Sequence, residues 1–281
     1  MSAAMTSKCS RSKRMGRSMA RERNEPYVQA LDRGLAVLRC FGEDRALLTI
    51  SDVAREVHID RAAARRFLHT LVSLGYVGVD GGRFYLRPRV LELAQPYLDA
   101  VSFPDAIQPH LEALTREISE TSMAFVLDGD EIVYVAGVQA KKLVVVQVGF
   151  GTRVPAYASP VGRVLLAALP PNELDAYFAR VDLVQHTDRT IVDEATLRLE
   201  LEQIADHGYA IGDQELAIGL RTVAVPVHDK TGKVIAAISI GVTAATVSLS
   251  ALSGSLLQRL KSAAVEIEAD LKASRHTNAA V

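Results

Sequence analysis

Arg61, Ala62, Arg65, Arg66 and His69 recur at one-, three- and four-residue intervals, the spacing that gathers side chains on one side of an α-helix. Guanidinium groups displayed in this way can bind phosphate oxygens and the O6 and N7 edge of guanine. Arg83 and Arg87 follow Asp80-Gly81-Gly82, where a projecting hairpin would bring them to phosphate. Farther along, Ser159-Pro160 precedes the apolar run 161–168, placing a capping hydroxyl and then a proline at a helix start. Unpaired amides there favour an anion, and Gly162 allows a carboxylate to approach closely. A purely structural cap is the competing reading of the same residues.

Catalytic chemistry finds less support. Histidines 58, 69, 110, 186, 207, 228 and 276 are scattered without His-Glu-x-x-His spacing, and no carboxylate cluster has metal-ligand order. Ser159 lacks the flanking glycines of a nucleophile elbow, while Gly149-Phe-Gly151 lacks both a third glycine and an immediate helix. Cys9 and Cys40 are too few for a disulfide framework or a thiolate zinc site and read as free thiols. No catalytic residue, metal site or cofactor is expected.

The basic residues need elements to hold them. Val28, Leu31, Leu35 and Leu38 repeat at helical spacing and predict a first helix over 27–41. Thr49-Ile-Ser-Asp52 has the form of a capping box for a second helix over 50–57. After His58 and Ile59, Asp60 can cap a third helix, whose Ala64, Phe67, Leu68, Leu71 and Leu74 face inward until Gly75. Two helices joined by so short a turn, the second basic outside, make a helix-turn-helix with 60–74 as recognition helix. Apolar runs 76–79 and 83–86 around the glycine turn add a wing. Pro88 opens an amphipathic segment, 90–101, that reads as a connecting helix.

Leu111, Leu114 and Ile118 mark a further helix, after which strands are predicted at 123–127, 132–138, 143–148, 222–227 and 234–242. Helices fall at about 160–169, 171–180, 193–207 and 249–273. The fold class is therefore α+β, with a largely antiparallel sheet covered by helices.

Charge divides the chain in the same way. Residues 1–90 carry 17 Lys and Arg against 9 acids, and the remainder 15 against 24, within a net charge of −1. The basic half is suited to phosphate. Residues 1–25, basic and serine-rich without apolar periodicity, read as a disordered tail. No run approaches the roughly 20 apolar residues of a spanning helix and no signal peptide is evident, so the cytoplasm is the expected location and no membrane partner is expected.

Three stretches in the N-terminal part carry a family resemblance: Ala30-Leu-Asp-Arg-Gly-Leu-Ala-Val-Leu, Arg61-Ala-Ala-Ala-Arg-Arg-Phe-Leu and Arg87-Pro-Arg-Val-Leu-Glu-Leu. Val154-Pro-Ala-Tyr-Ala-Ser-Pro-Val-Gly-Arg, Asp213-Gln-Glu-Leu-Ala-Ile-Gly-Leu-Arg and the Ala236-Ala-Ile-Ser strand extend it. In this order the motifs resemble the IclR-type transcriptional regulators over nearly the whole chain beyond the tail. Residues 65–68 and 213–221 resemble most the subgroup controlling protocatechuate, 4-hydroxybenzoate and β-ketoadipate catabolism. The resemblance implies a winged helix-turn-helix joined to a GAF-like effector domain, dimers assembling into tetramers, and control by a small organic acid. It also implies an effector site at Ser159, Pro160, Gly162, Asp213, Thr222 and Ser239. Asp213 would repel a carboxylate, so it should meet a hydroxyl or carbonyl end or orient its loop.

The expected organisation is a tail at 1–25, a winged helix-turn-helix domain at 26–87, a linker helix at 88–102, an effector domain at 103–275 and a tail at 276–281. Expected partners are operator DNA, a small aromatic or dicarboxylic acid, and further copies of the chain as a homodimer or dimer of dimers. RNA polymerase joins them if the protein activates transcription. The rival readings are an enzyme acting on a small acid with an appended DNA-binding module, and a ligand-independent architectural DNA binder.

Overall fold

A computed structural model describes residues 27–42, 45–95, 103–140 and 148–273. The expected tails at 1–25 and 276–281 lie outside these residues, as does Cys9. The chain divides into two compact units, Met1–Ala94 and Gln95–Val281.

In the first unit, α1 (Gln29–Arg39), α2 (Ile50–Glu56) and α3 (Arg61–Ser73) precede a hairpin of β1 (Val77–Asp80) and β2 (Arg83–Leu86). The capping box forms: Asp52 N donates to Thr49 Oγ at 3.2 Å while Thr49 N donates to Asp52 Oδ2 at 3.0 Å. Asp60 caps α3 by accepting from Ala63 N at 2.8 Å. Gly81 and Gly82 both have positive φ, 52° and 79°, as a two-residue hairpin loop between right-twisted strands requires. Leu48 then pairs with Phe84 and joins the helices to the hairpin. Val37, Val53, Ala64 and Leu68 are completely buried in the shared core. Each large aliphatic side chain so buried contributes about 1.5–3 kcal/mol. Burial pushes the Cys40 thiol up to about 11, far from thiolate reactivity.

After the hairpin, Pro88–Leu93 forms a 3-10 helix where an α-helical linker was expected. Its bonds run from Val90 N to Arg87 O and from Ala94 N to Leu91 O, one residue tighter than an α-helix. Arg89 holds this turn, donating to Leu74 O at 3.0 Å and stacking over the Tyr76 ring. Residues 96–102 of the expected linker lie outside the described residues.

The second unit opens with α4 (Phe103–Ile118), β3 (Thr121–Asp128), β4 (Glu131–Val138) and β5 (Arg153–Pro155). Next come α5 (Pro160–Ala167), α6 (Pro171–Phe178), α7 (Glu194–His207), β6 (Ala210–Asp213), β7 (Leu220–His228) and β8 (Val234–Thr243). A helical run closes the unit: α8 (Leu249–Ala251), a π-helical turn at Leu252–Leu256, and α9 (Leu257–Ala273). The six strands form one antiparallel sheet in the order β5-β4-β3-β8-β7-β6.

Helices cover both faces of this sheet, which is why its strands read as nearly continuous apolar runs. Val223, Val225, Val227, Ile238 and Ile240 pack with α4 and α9 on one face. Phe125, Ile132, Ala224 and Ala237 pack with α5, α6 and α7 on the other. Alternation along β7 and β8 places Ala224, Ala237, Ser239 and Gly241 on the α5 side. The short strands β5 and β6 lie at the two sheet edges and escaped the periodicity reading. The strand expected at 143–148 falls outside the described residues except for Val148, which is in no strand.

Candidate functional site

Two surfaces bring the chemistry-bearing residues together, one in each unit. On α3, Ala63, Ala64, Leu68 and Leu71 are buried, so Arg61, Ala62, Arg65, Arg66 and His69 share the exposed side. Their neighbours on α2 differ: Arg55 is paired with Asp52 and the preceding loop's Arg45 with Glu56. Among the described residues no ion pair engages Arg61, Arg65 or Arg66. His69 and Phe84 form a T-shaped ring pair, centroids 6.2 Å apart at 87°, which joins the helix to the hairpin. Arg83 and Arg87 are both exposed, the first opposite Asp80 beside the hairpin loop and the second where the chain leaves β2.

In the second unit a small cleft lies between the start of α5, the edge strand β6 and the beginning of β7. Its cavity volume is only about 10 Å³, room for about one water, and it is lined by Ser159, Pro160, Gly212, Glu215, Leu216, Leu220 and Thr222. The α5 start is built as the sequence suggested, with Ser159 Oγ accepting from Val161 N at 3.3 Å and Pro160 following. That cap limits the site. Pro160 has no N–H and Ser159 occupies that of Val161, so fewer amides are left for an anion than at an uncapped helix. Gly162 serves packing here: a Cβ at this position would stand 2.2 Å from Ala156 O, so only glycine lets α5 lie against the preceding segment.

Ser159, Pro160 and Thr222 therefore line the cleft, whereas Gly162, Asp213 and Ser239 do not. Asp213 accepts from Arg221 Nε at 2.6 Å and is also paired with Arg189. The Arg221 hydrogen bond, ahead of those from its other partners, holds its carboxyl below the usual range. Ser239 is completely buried on the α5 side of β8, and its hydroxyl has no partner among the described residues.

Sequence reasoning missed the charged pair at the cleft. Glu215 accepts from Arg163 Nη1 at 2.5 Å, with Arg163 completely buried and Glu215 partly exposed. A lone arginine in the apolar run 161–168 was the available signal, because a charge in such a helix needs a partner. The loop carrying Glu215 is fastened on two sides. Thr187 Oγ1 donates to Gln214 O at 2.8 Å and Thr190 Oγ1 to Glu215 O at 2.7 Å, while Gln214 Oε1 accepts from Gly219 N at 3.0 Å.

The two units match two parts of one family. The IclR helix-turn-helix domain matches residues 30–81, and the bacterial transcriptional regulator IclR C-terminal domain matches residues 95–269. The chain belongs to the IclR family. Its IclR relatives include the Pca regulon regulatory protein of Pseudomonas putida, 37% identical over 242 residues that cover 86% of this chain and 83% of that one. The p-hydroxybenzoate hydroxylase transcriptional activator of Acinetobacter baylyi is 37% identical over 222 residues, 77% of this chain and 82% of its own. Both are regulators of the subgroup that residues 65–68 and 213–221 resemble. An IclR homologue from Microbacterium hydrocarbonoxydans, solved with 4-hydroxybenzoate, superposes with a TM-score of 0.77 at 28% identity, covering 87% of this chain and all of that one. This IclR chain is accordingly a DNA-binding transcriptional regulator and not an enzyme. Among the described residues no helix is long and apolar enough to cross a membrane.

Proposed function

We propose that the protein is a cytoplasmic regulator that binds operator DNA as an oligomer through α3 and the hairpin, and releases or reshapes that binding when a small hydroxylated aromatic acid enters the cleft beside α5. The observation that carries this reading is that one cleft is lined both by a helix start and by hydrogen-bonding side chains. The start of α5 offers the positive end of a helix dipole, suited to a carboxylate. Thr222 and the Glu215 carboxylate, in the same lining, can hydrogen-bond a hydroxyl. Glu215, which lines the cleft while paired with Arg163, is the acceptor for that hydroxyl; Asp213 does not line it and holds its loop through Arg189 and Arg221. The 4-hydroxybenzoate complex of the Microbacterium relative supports the choice of ligand class. Arg61, Arg65 and Arg66 read bases or phosphates, with Ala62 and His69 beside them, and Arg83 and Arg87 fix the hairpin on phosphate. RNA polymerase is a further partner if the regulator activates.

The test is calorimetric titration of 4-hydroxybenzoate, and of a panel of hydroxylated aromatic and dicarboxylic acids, with and without a DNA fragment selected for tight binding from a random pool. Linkage requires that an effector change DNA affinity by the same factor by which DNA changes effector affinity. Glu215→Gln and Thr222→Val should weaken hydroxylated acids more than benzoate itself. Binding of no acid in the panel, or binding that leaves DNA affinity unchanged, overturns the reading.

A further inference from the structure

Beside the cleft wall stands the Met123 side chain, and what lies behind it is polar. Thr222 pairs with Gly241, and Ser239 pairs with both Ala224 and Met123, so these residues form adjacent rows on the α5 side of the sheet. A Cβ at Gly241 would stand 3.4 Å from Met123 Cε and 3.9 Å from Leu220 Cδ1. The end of the Met123 side chain therefore lies over Gly241, beside Leu220 and Thr222 of the cleft wall. Behind it Ser239 is fully buried, with a hydroxyl that has no partner among the described residues. Buried hydroxyls are almost always satisfied, so one left open beside a small-residue floor needs an explanation. Methionine is the unbranched, readily re-packed side chain among the apolar set, suited to filling a space that is sometimes required for something else.

We propose that Met123 is the specificity-determining residue of the effector cleft: its thioether is a movable inner wall, which sets the length of acid admitted and whose withdrawal from its place over Gly241 brings the Ser239 hydroxyl within reach of the ligand. The proposal rests on the effector reading above. It explains why the cavity, about 10 Å³, is far smaller than the roughly 300–1,000 Å³ of drug-sized ligand pockets, and why the floor residues at 224, 237, 239 and 241 are all small.

The experiment compares 4-hydroxybenzoate with 4-hydroxycinnamate, which carries the same two polar ends two carbons farther apart. Dissociation constants are measured by calorimetry for wild type, Met123→Ala and Gly241→Ala. Met123→Ala should shift the ratio of affinities towards the longer acid by about tenfold or more, the scale of small changes in apolar pocket size, and Gly241→Ala should shift it the other way. A ratio unchanged in Met123→Ala, with 4-hydroxybenzoate still bound, overturns the movable wall and leaves the effector site standing. Failure of wild type to bind either acid overturns both. If Met123→Ala does not fold, wild-type protein labelled with ¹³C at the methionine methyls decides: the Met123 resonance must move on saturation with 4-hydroxybenzoate, and a stationary one refutes the proposal.

Discussion

Arg163 is a charged group enclosed by its own helix and by the loop that carries Glu215. Such a pair contributes little net stability, yet breaking it strands one charge in a poorly solvated place. Arg163→Met is expected to destabilise the protein by about 3–5 kcal/mol in urea unfolding, and the double variant Arg163→Met/Glu215→Gln by clearly less. Equal losses in the single and double variants would show that the pair is not what holds the loop. On α3, Arg65→Ala and Arg66→Ala separate reading from positioning. A base-reading arginine costs about 1–3 kcal/mol and relaxes sequence preference, whereas loss of a phosphate contact lowers the slope of log affinity against log salt by about 0.9. Binding isotherms at several salt concentrations check this, and unchanged affinity and slope in both variants remove these arginines from the interface. These α3 residues were legible because helical periodicity alone fixes which side is outward. The cleft was legible only in part, since Ser159 follows from a helix cap and Thr222 from a strand start, while Glu215, though inside the 213–221 stretch, faces it through a loop whose path no periodicity predicts.

At the scale of elements, caps govern how α2 and α3 are presented. Thr49→Ala removes one half of the capping box and should cost about 1 kcal/mol, read as a lower unfolding midpoint at unchanged m-value. The carboxyls of Asp52 and Asp60 are held below their usual range, the first chiefly by the Thr49 hydroxyl and the second by the Ala63 amide. Because the folded-state values lie below the unfolded ones, their contribution is complete above the ordinary carboxylate range, near pH 4, and fades as the pH falls through the folded-state values. Acid titration followed by helical circular dichroism should show a loss of helix below about pH 4 that is smaller in Asp52→Asn/Asp60→Asn, since asparagine caps without titrating. The caps were readable from sequence because their partners lie three residues away. The 3-10 turn at Pro88–Leu93 was not, because it depends on Arg89 reaching back to Leu74 and Tyr76. Edge strands β5 and β6, three and four residues long, offer too few positions for a period to emerge.

For the whole molecule, the sheet order has a bearing on time. The N-terminal unit is assembled from neighbours: α2 contacts α3, and β1 turns directly into β2. In the second unit the central pair is β3 with β8, which joins Thr121 to Gly241 and so must wait until nearly the entire domain has been brought together. Closing so long a loop is entropically costly before any pairing rewards it, and folding rates fall as contacts become more distant in sequence. Pulse-labelled hydrogen exchange during refolding of the full chain should therefore protect amides of α2 and α3 before those of β3 and β8; simultaneous protection would contradict this order. The same pairing governs synthesis. When a ribosome has released residues as far as β4, the helix-turn-helix can already fold, while β3 still lacks the neighbour that arrives with β8. A nascent chain thus acquires its DNA-reading unit well before the unit that controls it, and until β8 emerges the β3 edge is a strand template open to chaperones and to other chains.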